Sequence, residues 1–205
     1  ELAKEFKIDA DVVVPIPDSG VPAALGFSQT SCIPFELGLI RNHYVGRTFI
    51  EPTQSIRQFG VKLKHSVNVS YIKNKKVILI DDSIVRGTTA KKIVKMVYDA
   101  GAKEVHLGVS CPPITHPDFY GIDTPNYNEL IASNKNIDEM SSIIGTKSLF
   151  FLSLDGTYRA MGCEERDSSS PQFTDHCFTG EYPTPLIDME QGNVSKQYSL
   201  LSEKN

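Results

Sequence analysis

The chain has no paired cysteines. Its four, Cys32, Cys111, Cys163 and Cys177, stand far apart, and none belongs to a CxxC. In a chain of 205 residues that spacing argues against a disulfide framework and for free thiols in a reducing, cytoplasmic compartment. Each thiol, Cys32 included, is expected to pack rather than react. Long apolar runs are also missing. The nearest approach, LFFLSL at Leu149–Leu154, falls far short of the roughly 20 residues that cross a bilayer, so no membrane partner is expected. There is no basic surplus either. With 21 Lys and Arg against 25 Asp and Glu the net charge is −4, which offers nothing to nucleic acid. The opening ELAKEFKIDADVVV lacks the basic and apolar regions of a signal peptide. It also lacks an initiator Met, so the native product is expected to begin further upstream. No internal repeat is present.

What remains is an alternation of apolar runs and helical patterns, which predicts an α/β fold with a central, mainly parallel sheet flanked by helices. DVVVPI (11–16) reads as a strand and PAALGFSQ as a helix with Pro22 in its first turn, where a missing N–H costs nothing. IPFELGLI reads as a second extended run. Lys76–Ile80 is the clearest strand, apolar enough to be buried on both faces. Thr88–Ala100 is the clearest helix, with Ile93, Val94, Val97 and Tyr98 on one stripe and Gly101 where a C-terminal cap belongs. EVHLGVS (104–110) and LFFLSL read as later strands, and Asn136-Ile137-Asp138-Glu139 as a capping box opening a helix. Residues 41–68 are basic and aperiodic, the character of a functional lid. From Cys163 the chain turns polar and rich in Ser, Pro and Gly. The expected organisation is one domain over 1–162, with its lid at about 41–68, and an irregular, draped or partly disordered tail over 163–205.

The chemistry gathers at VILIDDSIVRGTT (77–89). Ligands of open parallel sheets collect at the carboxyl ends of the strands, where Asp81 and Asp82 stand. Adjacent carboxylates raise one another's pKa unless a divalent metal or a set of sugar hydroxyls compensates. Ser83, Ile84, Val85, Arg86, Gly87, Thr88 and Thr89 follow and open the helix. Their backbone N–H groups, their hydroxyls and the positive end of the helix dipole suit a phosphate, and Gly87 permits a close approach. GxxxxGK[ST] is absent, so this is not the nucleotide P-loop. A phosphate at one end and a diol at the other describe a ribose 5-phosphate. The plainer alternative is a helix cap and an ordinary turn. PIPDSG (15–20) ends the first strand. Its Asp18, Ser19 and Gly20 form a short turn suited to pyrophosphate, or a simple helix start with Ser19 as its cap.

The acid pair and its loop resemble the phosphoribosyl pyrophosphate (PRPP) motif of type I phosphoribosyltransferases. YVGRTFI (44–50), LIDDSIVRGTT, HPDFYGID and ELIAS narrow the resemblance, over roughly residues 1–165, to the amidophosphoribosyltransferase family. That resemblance implies that Ser19, Asp81 and Asp82 bind Mg2+ and that residues 83–89 hold the 5′-phosphate. It puts Arg47, Lys62 and Lys64 on a flexible lid that closes over PRPP and serves catalysis. The implied reaction displaces pyrophosphate from C1 by ammonia, giving 5-phosphoribosylamine, the first step of purine synthesis. Such a site needs positioning and electrostatic stabilisation rather than a dedicated base. The resemblance further implies feedback by purine nucleotides and a homo-oligomer. The other readings are a PRPP- or nucleotide-binding regulator and a salvage enzyme acting on a base.

The chain departs from that pattern in three ways. The family's glutaminase domain, which supplies ammonia from glutamine, is absent here, so the isolated chain is expected to depend on free ammonia. One branch of the family carries a [4Fe–4S] cluster on a cysteine in HPCFYGID and a CxxC before FTG. This chain has Asp118 and Thr174 at two of those positions and keeps only Cys177, so no cluster is expected. Zinc is not expected on His176 and Cys177 alone, since two adjacent residues do not make a tetrahedral site. Finally, Lys62 stands where Arg is common, and lysine lacks the bidentate phosphate grip.

Overall fold

A computed structural model describes residues 1–42, 65–122, 124 and 126–186. Four parallel strands form the sheet, in the order β1 (Val12–Pro15), β4 (Lys76–Asp81), β5 (Glu104–Val109) and β6 (Ser148–Phe151). The strand core is apolar, with His106 of β5 the buried polar exception among the described residues inside a strand, because both faces are covered. Val77 and Leu79 pack on one side against Ile93, Val94 and Val97 of α4 (Thr88–Asp99) and against Met140 and Ile144 of α6 (Ile137–Ile144). Ile78 and Ile80 turn to the other side, against Ala24 and Phe27 of α2 (Val21–Ser31) and Leu2 and Ala3 of α1 (Leu2–Glu5). Each of the larger side chains, the alanines apart, contributes about 1.5–3 kcal/mol when fully buried.

Several expectations are refined. Tyr98 leaves the buried stripe of α4 and is partly exposed, its hydroxyl oxygen accepting the Val105 N–H at 3.2 Å. The run IPFELGLI is not one strand. Phe35 bridges Val13 beside the main sheet, and the chain then crosses over to form β2 (Leu39–Arg41). β2 pairs antiparallel with β3 (His65–Val67), Arg41 opposite His65, so the two ends of the segment expected to be a lid form a hairpin stem. After β3 come α3 (Val69–Ile72) and then β4. The capping box is present: the Asn136 side chain accepts from the Glu139 N–H, and the Glu139 side chain from the Asn136 N–H. Cys32 does not pack. It is exposed in the left-handed turn ending α2, since that helix buries only its Ala24 and Phe27 side.

The segment after Cys163 is irregular, as expected, and its described part is draped back on the domain. Residues 163–186 return to the domain through α8 (His176–Thr179), following α7 (Leu154–Ala160). Tyr158 donates to Asp175 at 2.8 Å, Arg166 pairs with the same carboxylate, and Tyr182 donates to the Pro117 carbonyl at 2.8 Å. Polar and aromatic contacts hold this segment, so no hydrophobic period announces it. Among the described residues no helix is long and apolar enough to cross a membrane.

Candidate active site

Strand register sets the site. Pro15 lies opposite Ile80 and Asp81 opposite Val109, so β1, β4 and β5 end level and three turns converge at one edge. Ser110 fastens the third turn to the second, its N–H donating to the Asp81 carbonyl at 3.0 Å.

The first turn, 16–20, bends back so tightly that the Gly20 N–H donates to the Ile16 carbonyl at 3.0 Å. A Cβ on Gly20 would run into the backbone carbonyls of Ile80 and Ile16, so only glycine lets this turn reach β4. Asp18 and Ser19 are exposed at its tip, and the Pro17–Asp18 peptide is cis. Ser19 is not the cap of α2: Gly20 is the N-cap, a residue with no side chain to offer. Arg41 of β2 reaches across to Asp18 at 2.6 Å.

The second turn carries the acid pair. Asp81 is buried and Asp82 exposed. Burial, reinforced by the hydrogen bond and charge of Asp82, pushes the Asp81 carboxyl up to about 8. Each acid accepts the next backbone N–H, Asp82 onto Asp81 at 2.9 Å and Ser83 onto Asp82 at 2.8 Å. Burial and the two carboxylates also push the nearby Cys111 thiol up to about 12, so it is a poor nucleophile.

Behind the acids, Gly87 adopts φ +73° as the N-cap of α4. Among the described residues no side chain caps that helix, and no acid sits in its first turn, which leaves N–H groups and dipole to an anion. Ile84 is buried and anchors the loop, while Thr88 and Thr89 face solvent. Arg86 is committed to Glu129 at 2.6 Å, and the Val85 carbonyl accepts from the Ile131 N–H at 3.0 Å. A 3-10 turn (Tyr127–Glu129) and α5 (Ile131–Asn134) therefore buttress the loop, a contact that ELIAS alone does not reveal. Asp18, Ser19, Gly20, Asp81, Asp82 and residues 83–89 thus share one end of the sheet. Arg47, Lys62 and Lys64 lie outside the described residues.

A second cluster sits at the root of the tail. Asp118 Oδ1 and His176 Nε2 are 2.6 Å apart, both side chains buried, with Cys177 alongside. Sequence reading named Asp118 and Cys177 as degraded cluster positions and His176 only as a zinc ligand beside Cys177, and did not foresee the hydrogen bond between Asp118 and His176.

The family model for the phosphoribosyl transferase domain matches residues 1–120. The chain belongs to that family. The chain is similar to the amidophosphoribosyltransferase of Rhizobium etli, 59% identical over 202 residues, which cover 98% of this chain and 41% of that protein. The amidophosphoribosyltransferase of Methanocaldococcus jannaschii is 54% identical over 185 residues, 90% of this chain and 38% of that protein. Among solved structures, the glutamine PRPP amidotransferase of Bacillus subtilis, complexed with ADP and GMP, superposes with a TM-score of 0.79 at 49% identity, covering 90% of this chain and 40% of that one. The chain spans about 40% of the length of the relatives it matches.

Proposed function

We propose that this chain is the phosphoribosyltransferase part of an amidophosphoribosyltransferase, in which ammonia displaces pyrophosphate from C1 of PRPP to give 5-phosphoribosylamine. The observation that carries the reading is the N-terminus of α4, uncapped among the described residues, directly behind the buried-and-exposed acid pair. The loop amides and the hydroxyls of Thr88 and Thr89 take the 5′-phosphate. Asp82, exposed, accepts from the ribose hydroxyls, and the 18–20 turn receives the pyrophosphate. Asp81 and Asp82, with Ser19, suit Mg2+: a carboxyl raised to about 8 beside a second carboxylate calls for a cation. Magnesium, when bound, neutralises the departing pyrophosphate. Arg47, Lys62 and Lys64 are assigned to closure over PRPP, excluding the water that competes with ammonia.

In this reading the protein works in the cytoplasm as a homo-oligomer. A glutaminase domain delivers the ammonia, and purine nucleotides inhibit by occupying the phosphate loop. The test mixes the chain with PRPP, Mg2+ and ammonium at mildly alkaline pH and measures pyrophosphate release. Release that requires ammonia, and is lost in Asp81→Asn and Asp82→Asn, supports the reading. Release indifferent to ammonia or to both acids overturns it.

A further inference from the structure

At the root of the tail Asp118, His176 and Cys177 bring their ligand atoms within 4.8 Å of one another, yet those atoms do not suit a metal. Asp118 Oδ1 takes His176 Nε2 at 2.6 Å, and Oδ2 accepts the N–H groups of Tyr120 at 3.0 Å and Ile122 at 2.7 Å. Both carboxylate oxygens are therefore spent on the chain itself. Of the remaining donors, the buried His176 Nδ1, without a hydrogen-bond partner among the described residues, and the Cys177 sulfur come from adjacent positions. One sulfur cannot serve a cluster that needs four, and two adjacent donors do not make a tetrahedral site. The imidazole is instead enclosed by rings, with Tyr120 edge-on and Tyr182 tilted over it, both centroids at 5.1 Å.

From this hydrogen-bonded pair a continuous set of bonds leads to the phosphate loop. The Cys177 carbonyl accepts from the N–H groups of Thr115 and His116, at 2.9 and 3.0 Å, and the Thr115 hydroxyl donates to the Phe178 carbonyl at 3.1 Å. The Thr115 carbonyl in turn accepts from the Ser133 hydroxyl on α5. The same segment bears on the loop through Ile131 to Val85 at 3.0 Å and Glu129 to Arg86 at 2.6 Å. α8 is thus the far support of the turn that carries Gly87.

We propose that Asp118 and His176 form a metal-free clip standing in for the cluster, and that they are positioning residues for the phosphate loop, acting through Thr115, Ser133 and Ile131. The proposal rests on the PRPP reading for its kinetic readout alone.

The test uses the intact protein. Purified as isolated, it should carry no stoichiometric iron, zinc or acid-labile sulfide. In His176→Ala the KM for PRPP should rise about tenfold with kcat nearly unchanged, the scale of losing one charge-assisted hydrogen bond. Amide exchange at residues 85–89 and 129–133 should quicken below the melting temperature. The pair Asp118→Asn with His176→Gln, which keeps a neutral hydrogen bond, should restore most of both. Tyr158→Phe, which loosens the tail at Asp175 instead, should lower Tm and leave KM alone. Stoichiometric metal overturns the clip. So does a His176→Ala variant that loses Tm while KM and exchange at 85–89 stay unchanged. A wild type that ignores PRPP sinks the proposed function, and the exchange rates still decide the clip.

Discussion

Burial beside Asp82 raises the Asp81 carboxyl to about 8, so near neutral pH it largely keeps its proton until a cation arrives. In the unfolded chain the same group titrates near 4, at roughly 3.9. Between those values the folded state binds the extra proton, so this group's contribution to stability is full below about 4 and is lost as pH rises towards 8. Metal-free melting curves should show that decline, and Asp81→Asn should flatten it. Mg2+ with PRPP should raise Tm of the native chain more at pH 8 than at pH 6, and should lose that effect in Asp81→Asn. Gly20 makes a separate demand. Gly20→Ala forces its new methyl into the Ile80 and Ile16 carbonyls, and denaturant unfolding should register a loss of about 1–3 kcal/mol, the cost of overpacking. At this scale the acid pair was legible, because two carboxylates side by side after an apolar strand have few uses. The Asp118–His176 pair was not, since its members lie 58 positions apart and neither belongs to a periodic pattern.

β4 and α4 could be read directly, because one is continuously apolar and the other repeats at helical spacing with a glycine at each end. α7 was missed for a local reason. Its start is hidden in LFFLSL, where Ser153 ends the apolar run and accepts from the Gly156 N–H at 2.8 Å as an N-cap. The stretch 163–186 was read as an irregular, draped tail, but not its anchors, Tyr158 to Asp175 and Tyr182 to Pro117, which are single polar contacts between distant positions. Two element-scale outcomes follow. Asn136→Ala removes half of a capping box and should cost about 0.5–2 kcal/mol by chemical denaturation, with the KM for PRPP unaffected. Gly87→Ala places a side chain at φ +73°, a strain of about 1–2 kcal/mol, and crowds Ile131. It should weaken PRPP binding in calorimetry more than it lowers Tm, because the strain falls on the phosphate loop.

Across the whole molecule, the parallel order was predictable from the alternation of runs, and it is what brings three turns to one edge. The small β2–β3 sheet was not predictable: Leu39–Arg41 and His65–Val67 are short, and only their pairing across a long excursion makes them strands. One contact has an architectural consequence. Glu5 accepts from the backbone and hydroxyl of Ser153, at 2.9 and 2.6 Å, and Arg159 pairs with Glu5 and Glu1, at 2.6 and 3.0 Å. The start of the chain and α7 therefore share a single doorway. Removing Arg159 would release Glu1 and Glu5 together, so one side chain is the latch that keeps α1 closed against α7.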